Sequence, residues 1–186
     1  MPETARTFIA VPIPATPGLR KLHQQLKEFD APVRTVDLDG LHLTLRFLGE
    51  TPWKTIPMIG EILGSVLRRY RQFSASLTGL GAFPDVRRPR VVWVGVKPRE
   101  PLTEIANQLT NELRDLGFPG DRLKFVPHVT LARIKGRPPR ELPSFLQEHE
   151  SKDFGEFLID RVVHYQSELT KRGPVYTVLT QVRPMG

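Results

Sequence analysis

Two short segments of the chain, in each of which a histidine is followed two residues later by a threonine, carry side chains suited to acid–base chemistry. They read HLTL at residues 42–45 and HVTL at residues 128–131, so they begin 86 residues apart in a chain of 186 residues. Because the side chains of a β-strand alternate between two faces, the histidine and threonine of each segment are expected on one face. One such segment is common in ordinary strands. Two copies at matched positions point to a shared site.

The residue types of the two segments suit phosphoester chemistry without a metal. An imidazole has an ordinary pKa of about 6.5, so near neutral pH one histidine can donate a proton while the other accepts one. Threonine hydroxyls can donate hydrogen bonds to the non-bridging oxygens of a phosphate. The candidate catalytic residues are therefore His42, His128, Thr44 and Thr130. No carboxylate or third histidine stands at ligand spacing near either segment, so no metal site is predicted.

Two arginines near these segments are candidate phosphate-binding residues, because a guanidinium matches the geometry of phosphate. Strict alternation along a strand places Arg46 on the same face as His42. Arg133 lies five residues after His128, so alternation turns it away from the histidine face, and only a bulge or twist would bring it back.

Aromatic residues near the segments could stack on a nucleobase. Phe125, just before the second segment, is the candidate for this role. Phe47 is expected in the core because it alternates away from His42, and Trp93 is expected there because its strand is strongly apolar. The remaining histidines are expected to be structural or exposed to solvent: His23, His149 and His164.

The hydrophobic spacing predicts the order strand, helix, motif strand, helix, strand in each half of the chain. The predicted elements of the first half are a strand (7–13), a helix (17–29), a short strand (33–36), the motif strand (41–48), a helix (54–69) and a strand (73–80). Those of the second half are a strand (90–96), a helix (101–116), the motif strand (128–134), a short helix (140–148), a strand (157–165) and a closing strand (175–182).

This repeated order predicts an α+β fold. Residues 1–186 are expected to form one bilobal domain, with an approximate internal repeat of residues 7–83 and 90–166. Each of the two pseudo-symmetric lobes would hold an antiparallel or mixed sheet with its helices outside. The two motif strands would then face one another across a central cleft on the pseudo-twofold axis.

Composition limits the classes of function. The chain is 39% apolar and 25% charged, which is ordinary for a soluble protein, and it lacks cysteine, which excludes disulfides and thiolate nucleophiles. No apolar run approaches the length of a membrane span, so a cytoplasmic protein without membrane contact is expected. The formal net charge of +7 suits a polyanionic partner such as nucleic acid, or else a simply solvated basic surface.

With these residues in view, the chain resembles the two-histidine (2H) phosphoesterases, and more closely the RNA 2′,3′-cyclic phosphodiesterases, historically called 2′-5′ RNA ligases. The resemblance covers nearly the whole chain. It rests on FIAV (8–11), LHLTLRFLGE (41–50), GLGAFP (79–84), RPRVVWVGV (88–96), PHVTLAR (127–133) and YQSEL (165–169). His164 departs from the family pattern, in which this position is usually apolar.

The resemblance implies a function for the paired segments. It implies hydrolysis of RNA 2′,3′-cyclic phosphate ends to 2′-phosphomonoesters, and the reverse 2′-5′ joining. His42 would protonate the departing 3′ oxygen and His128 would activate water. No cofactor is expected, and the protein is expected to be a monomer. Two alternatives stay open: a phosphodiesterase acting on small cyclic nucleotides, ADP-ribose cyclic phosphate or 2′-5′ oligonucleotides, and an RNA-end-binding module with little catalysis.

Overall fold

The computed structural model describes residues 2–29, 31–120 and 123–186. Its strands are β1 (Thr4–Pro12), β2 (Val33–Thr35), β3 (His42–Pro52), β4 (Phe73–Phe83), β5 (Val91–Lys97), β6 (His128–Ile134), β7 (Asp153–Ile159), β8 (Val162–Thr170) and β9 (Gly173–Val182). Its helices are α1 (Pro17–Lys27), α2 (Ile56–Leu67), α3 (Arg99–Arg114) and α4 (Leu142–Glu148). The predicted elements thus recur with shifted ends, apart from the strand predicted at residues 157–165.

The strands form two antiparallel sheets. The first has the order β3-β1-β8-β9 and the second has the order β2-β6-β5-β4-β7. In both sheets a motif strand pairs with the first strand of its own half, β3 with β1 and β6 with β5. The next strand in each sheet comes from the other half of the chain, since β8 pairs with β1 and β4 pairs with β5. This exchange ties the two sheets together and brings β3 and β6 into contact.

The helices cover the sheets from outside, as the α+β prediction requires. The first sheet is contacted by α2 and α3, and the second by α1 and α4. The sequence of α1 explains its position: the Thr16 hydroxyl accepts a hydrogen bond from the Leu19 N–H at 3.1 Å, and Pro17 opens the first turn. Leu19, Leu22 and Leu26 then bury one face of the helix in the core.

The predicted single strand at residues 157–165 is wrong, because the chain crosses there from one sheet to the other. The strand β7 pairs with β4 in the second sheet, whereas β8 pairs with β1 and β9 in the first. The crossing occurs at Asp160 and Arg161. The Asp160 carboxylate accepts from Arg161 at 3.1 Å and from Arg183 at 2.7 Å, which holds the crossing to the end of the chain.

His164 lies on the face of β8 that points away from the cleft. Its neighbour on β1 is Ile9, and both residues are fully buried, so His164 is one of the structural histidines that the sequence predicts. Neither ring nitrogen of His164 has a hydrogen-bond partner among the described residues. Burial lowers the pKa of its imidazole to about 4, so His164 is neutral at physiological pH.

Of the described helices, none is both long and apolar enough to cross a membrane.

Candidate active site

The two motif histidines are the first residues of β3 and β6, and each is oriented in the same way. The Nδ1–H of His42 donates to the Gly40 carbonyl at 2.7 Å, and that of His128 donates to the Val126 carbonyl at 2.6 Å. A carbonyl oxygen can only accept, so both Nδ1 atoms must carry a proton. This fixes the neutral tautomer and leaves Nε2 of both rings as the nitrogen available to a substrate.

Aromatic rings pack against both histidines. The ring centroid of His42 lies 4.9 Å from that of Phe8 and 5.1 Å from that of Tyr176. The ring centroid of His128 lies 5.0 Å from that of Phe83 and 5.9 Å from that of Trp93. These contacts restrict both imidazoles and reduce their contact with water.

The position of Trp93 differs from the core position predicted for it. The side chain is half-buried beside His128 and lies over Gly81, where a Cβ atom would come within 2.2 Å of the indole ring. Glycine at position 81 therefore makes room for this side of the site. Phe8, Phe83 and Tyr176 contact the motif histidines, and the spacing of residues in the sequence does not predict these contacts. The motifs carry no information about strands that lie far from them in the sequence.

The two motif threonines occupy equivalent places. Thr44 and Thr130 are half-buried, as are the histidines two residues before them, whereas the intervening Leu43 and Val129 are fully buried. Within the described parts of the chain, neither threonine hydroxyl has a hydrogen-bond partner. Both hydroxyls are therefore available to a bound anion, as the sequence predicts.

A β-bulge follows the threonine in each motif strand and changes which residues face the cleft. Pairing of β3 with β1 skips Leu45, and pairing of β6 with β5 skips Leu131. Two successive side chains are consequently buried in each strand, and the fifth residue after the histidine returns to the open face. The bulge thus brings Arg133 to the side of His128, and it exposes 44% of Phe47, which was wrongly expected in the core.

The bulge also overturns the predicted place of Arg46 at the rim of the site. Arg46 is only 4% exposed. Its guanidinium donates to the carbonyls of Phe118 and Pro119, in the segment that follows α3. Arg46 therefore points into the molecule and holds this segment against β3.

The charges of the second motif strand act on the histidine of the first. Burial lowers the pKa of His42, the hydrogen bond to Gly40 opposes this shift, and the charges of Arg133 and His128 lower the pKa further. Burial also lowers the pKa of His128, against the hydrogen bond to Val126. His42 thus responds to two residues of the other sheet.

Arg133 also acts on a second residue of the first sheet. Burial raises the pKa of Tyr176, and the charges of Arg133 and Arg6 act in the opposite direction. Because Tyr176 packs on His42, the charge of Arg133 acts on both of these neighbouring rings.

Phe125 is partly buried and packs against the hydrophobic core. The ring contacts of the described residues do not include it, so its role in stacking stays a prediction. His23 and His149 are structural, as expected: the first bonds to the Val36 carbonyl at 2.7 Å, and the second donates to the Phe145 carbonyl at 2.8 Å. Among described residues there is no group of three or more His, Cys, Asp or Glu side chains that could hold a metal ion.

Comparison with known proteins identifies the family of this fold and site. A family model described as the 2′-5′ RNA ligase superfamily matches residues 19–170. The chain belongs to this superfamily. A curated relative from Aeropyrum pernix, named RNA 2′,3′-cyclic phosphodiesterase, is 39% identical over 169 residues, which is 89% of this chain and 94% of the relative.

Two solved structures share the fold of this chain over nearly its whole length. The protein TT0787 of Thermus thermophilus superposes with a TM-score of 0.79 and 31% identity, covering 97% of this chain and 98% of that one. Escherichia coli LigT complexed with 3′-AMP superposes with a TM-score of 0.73 and 25% identity, covering 99% of this chain and 100% of LigT.

Proposed function

We propose that this member of the superfamily hydrolyses 2′,3′-cyclic phosphate ends of RNA to 2′-phosphomonoesters, with no metal ion. The observation that carries the proposal is the pair of equivalent histidines in one cleft, each with Nδ1 tied to a carbonyl and Nε2 left for the substrate. The name of the Aeropyrum pernix relative and the 3′-AMP bound by LigT support RNA or nucleotide substrates.

In the proposed reaction the two histidines exchange their protonation states. Nε2 of His128 takes a proton from water as the water oxygen forms a bond to phosphorus. The bond between phosphorus and the 3′ oxygen breaks, and the Nε2–H of His42 protonates that oxygen to give a 3′-hydroxyl and a 2′-phosphate. Each proton transfer supplies about 10²–10⁴-fold in rate. A 5′-hydroxyl that attacks phosphorus in place of water, with the same departure of the 3′ oxygen, would give 2′-5′ joining.

The transition state carries more negative charge on its non-bridging oxygens than the substrate does. In this proposal Thr44, Thr130 and Arg133 donate hydrogen bonds to those oxygens. Bonds of this kind to charged groups contribute about 1.5–3 kcal/mol each. Donors held in place by two strands need no rearrangement as the charge develops, so they act as a preorganised anion site.

The direction of proton transfer follows the family resemblance, and the environment of His42 is compatible with it. Burial and the charge of Arg133 lower the pKa of His42, which makes its protonated form a stronger acid. The negative phosphodiester acts in the opposite direction when it binds, and so favours protonated His42 in the complex. The monomeric state and the cytoplasmic location stay predictions from the sequence.

The test is an assay that reads the reaction and its product together. An oligonucleotide that ends in a 2′,3′-cyclic phosphate is incubated with the protein in excess EDTA, and the product is identified by ³¹P NMR. We expect a 2′-phosphate from the unmodified protein and none from His42→Ala or His128→Ala, both folded by circular dichroism. A 3′-phosphate product, loss of turnover in EDTA that added metal restores, or full activity of either variant would contradict the proposal.

A further inference from the structure

A second arginine stands directly beside Arg133. The short strand β2 pairs with β6 such that Arg34 is the register partner of Arg133. Partners in an antiparallel pair point to the same face, with Cβ atoms about 5 Å apart. Both side chains are exposed, and Arg133 lies on the open face of β6 that also carries His128 and Thr130. Arg34 therefore lies one strand further out on the same surface.

The position of Arg34 is fixed although β2 has only three residues and lies at the edge of its sheet. Val33 is buried in the core beside Ile134. Beyond the strand, the Val36 N–H donates to the Leu131 carbonyl at 2.9 Å, and His23 holds the Val36 carbonyl. These contacts on both sides hold the backbone of Arg34 at one place along β6.

The pairing of these two arginines is unfavourable in the absence of a ligand. Like charges directly opposite one another destabilise a sheet. In the described portions of the chain, no carboxylate forms an ion pair with Arg34 or Arg133. A bound anion would relieve this repulsion, and two adjacent guanidinium groups would hold more than one phosphate group.

We propose that Arg34 binds the phosphodiester that precedes the cyclic phosphate of the substrate, an inference that rests on the proposed function. The bulge in β6 puts Arg133 on the same open face as His128, where the proposed function puts the reacting phosphate. Arg34 stands one strand spacing, about 4.8 Å, further from the strand that carries His128. The next phosphate of an RNA end is joined to the 5′ oxygen of the terminal ribose, so the site favours RNA ends over cyclic mononucleotides that lack this phosphate.

The test compares substrates that differ only in the second phosphate. The value of kcat/KM is measured for adenosine 2′,3′-cyclic phosphate with and without a 5′-phosphate. The preference ratio is kcat/KM with the 5′-phosphate divided by kcat/KM without it. In Arg34→Gln we expect this ratio to fall roughly five- to tenfold, in line with the loss of one charged contact to phosphate. The control is Arg20→Gln, which removes an exposed arginine of α1 on the outer side and should leave the ratio as it is.

An unchanged ratio in Arg34→Gln, or equal losses for both substrates, would overturn the inference, since Arg34 would then bind no phosphate or the reacting one. Absence of turnover with either substrate in the unmodified protein would instead contradict the proposed function. The inference would then be decided by calorimetry with adenosine 2′-phosphate and adenosine 2′,5′-bisphosphate. A preference for the bisphosphate that Arg34→Gln removes would support it, and equal affinities would overturn it.

Discussion

His42 and Arg133 belong to different sheets and share one electrostatic environment. Burial lowers the pKa of His42, and the guanidinium of Arg133 lowers it further from across the cleft. Arg133, which is proposed to bind the substrate phosphate, therefore also contributes to the acidity of the group proposed to protonate the leaving oxygen. In this proposal, the charge of Arg133 links substrate binding to proton transfer.

Replacing Arg133 should change the pKa of His42 and the binding of the substrate phosphate, each in a known direction. Arg133→Gln removes a positive charge near His42, so the pKa of His42 should rise, and the alkaline limb of kcat/KM should move to higher pH. The loss of a charged phosphate contact should lower kcat/KM by about 10–100-fold. NMR titration of the imidazole signals measures the first effect. Arg133→Lys, which keeps the charge, should leave the pKa nearly in place; a lower pKa in Arg133→Gln would contradict the account.

The threonines can be tested by removing only their hydroxyl groups. Thr44→Val and Thr130→Val keep the shape of the side chain and lose one donor to the phosphate. Each should lower kcat/KM by roughly 10–100-fold, because a hydrogen bond to a charged group contributes about 1.5–3 kcal/mol. Thr44→Ser and Thr130→Ser serve as matched controls and should keep most of the activity. Equal losses in the serine and valine variants would show that packing, and not the hydroxyl, is what matters.

His164 should make the stability of the protein depend on pH. Its pKa falls from 6.5 in the unfolded chain to about 4 in the folded protein, so the unfolded chain binds the proton more tightly. The contribution of this difference in pKa to the free energy of unfolding is complete above pH 6.5. It is lost as the pH falls toward 4, and the loss is about 3 kcal/mol in all.

Urea unfolding at several pH values can isolate this contribution. His164→Leu should unfold with a weaker dependence on pH between 6.5 and 4 than the unmodified protein. Because His164 faces away from the cleft, kcat/KM at pH 7 should stay within about twofold. An identical pH dependence in the two proteins would show that His164 does not titrate with folding.

Local periodicity was enough to predict both motif strands, since β6 spans the predicted residues 128–134 and β3 starts next to the predicted start. The bulges at Leu45 and Leu131 could not be predicted, because an extra leucine in an apolar strand looks like ordinary alternation. The extra residue in β3 reversed the predicted faces of Arg46 and Phe47. The extra residue in β6 placed Arg133 where alternation alone would not.

Long-range pairing set the other limit of prediction from the sequence. The exchange of β4 and β8 between the sheets depends on contacts between distant segments, so no local pattern indicates it. The same holds for Tyr176, which reaches His42 from β9, and for Arg34, which reaches Arg133 from β2. The motifs therefore predicted the chemistry of the site. The residues that surround the motif side chains could be identified only from the structure.

The most direct test of the paired acid and base is to change the leaving group. A 4-nitrophenyl phosphodiester of a nucleoside releases a stable anion that needs no proton, whereas the ribose oxygen of a cyclic phosphate does need one. We expect His42→Ala to lose about 10²–10⁴-fold in kcat on the cyclic phosphate and to recover most of this on the nitrophenyl ester, while His128→Ala stays impaired on both. Equal impairment of the two variants on both substrates would contradict the division of acid and base between His42 and His128.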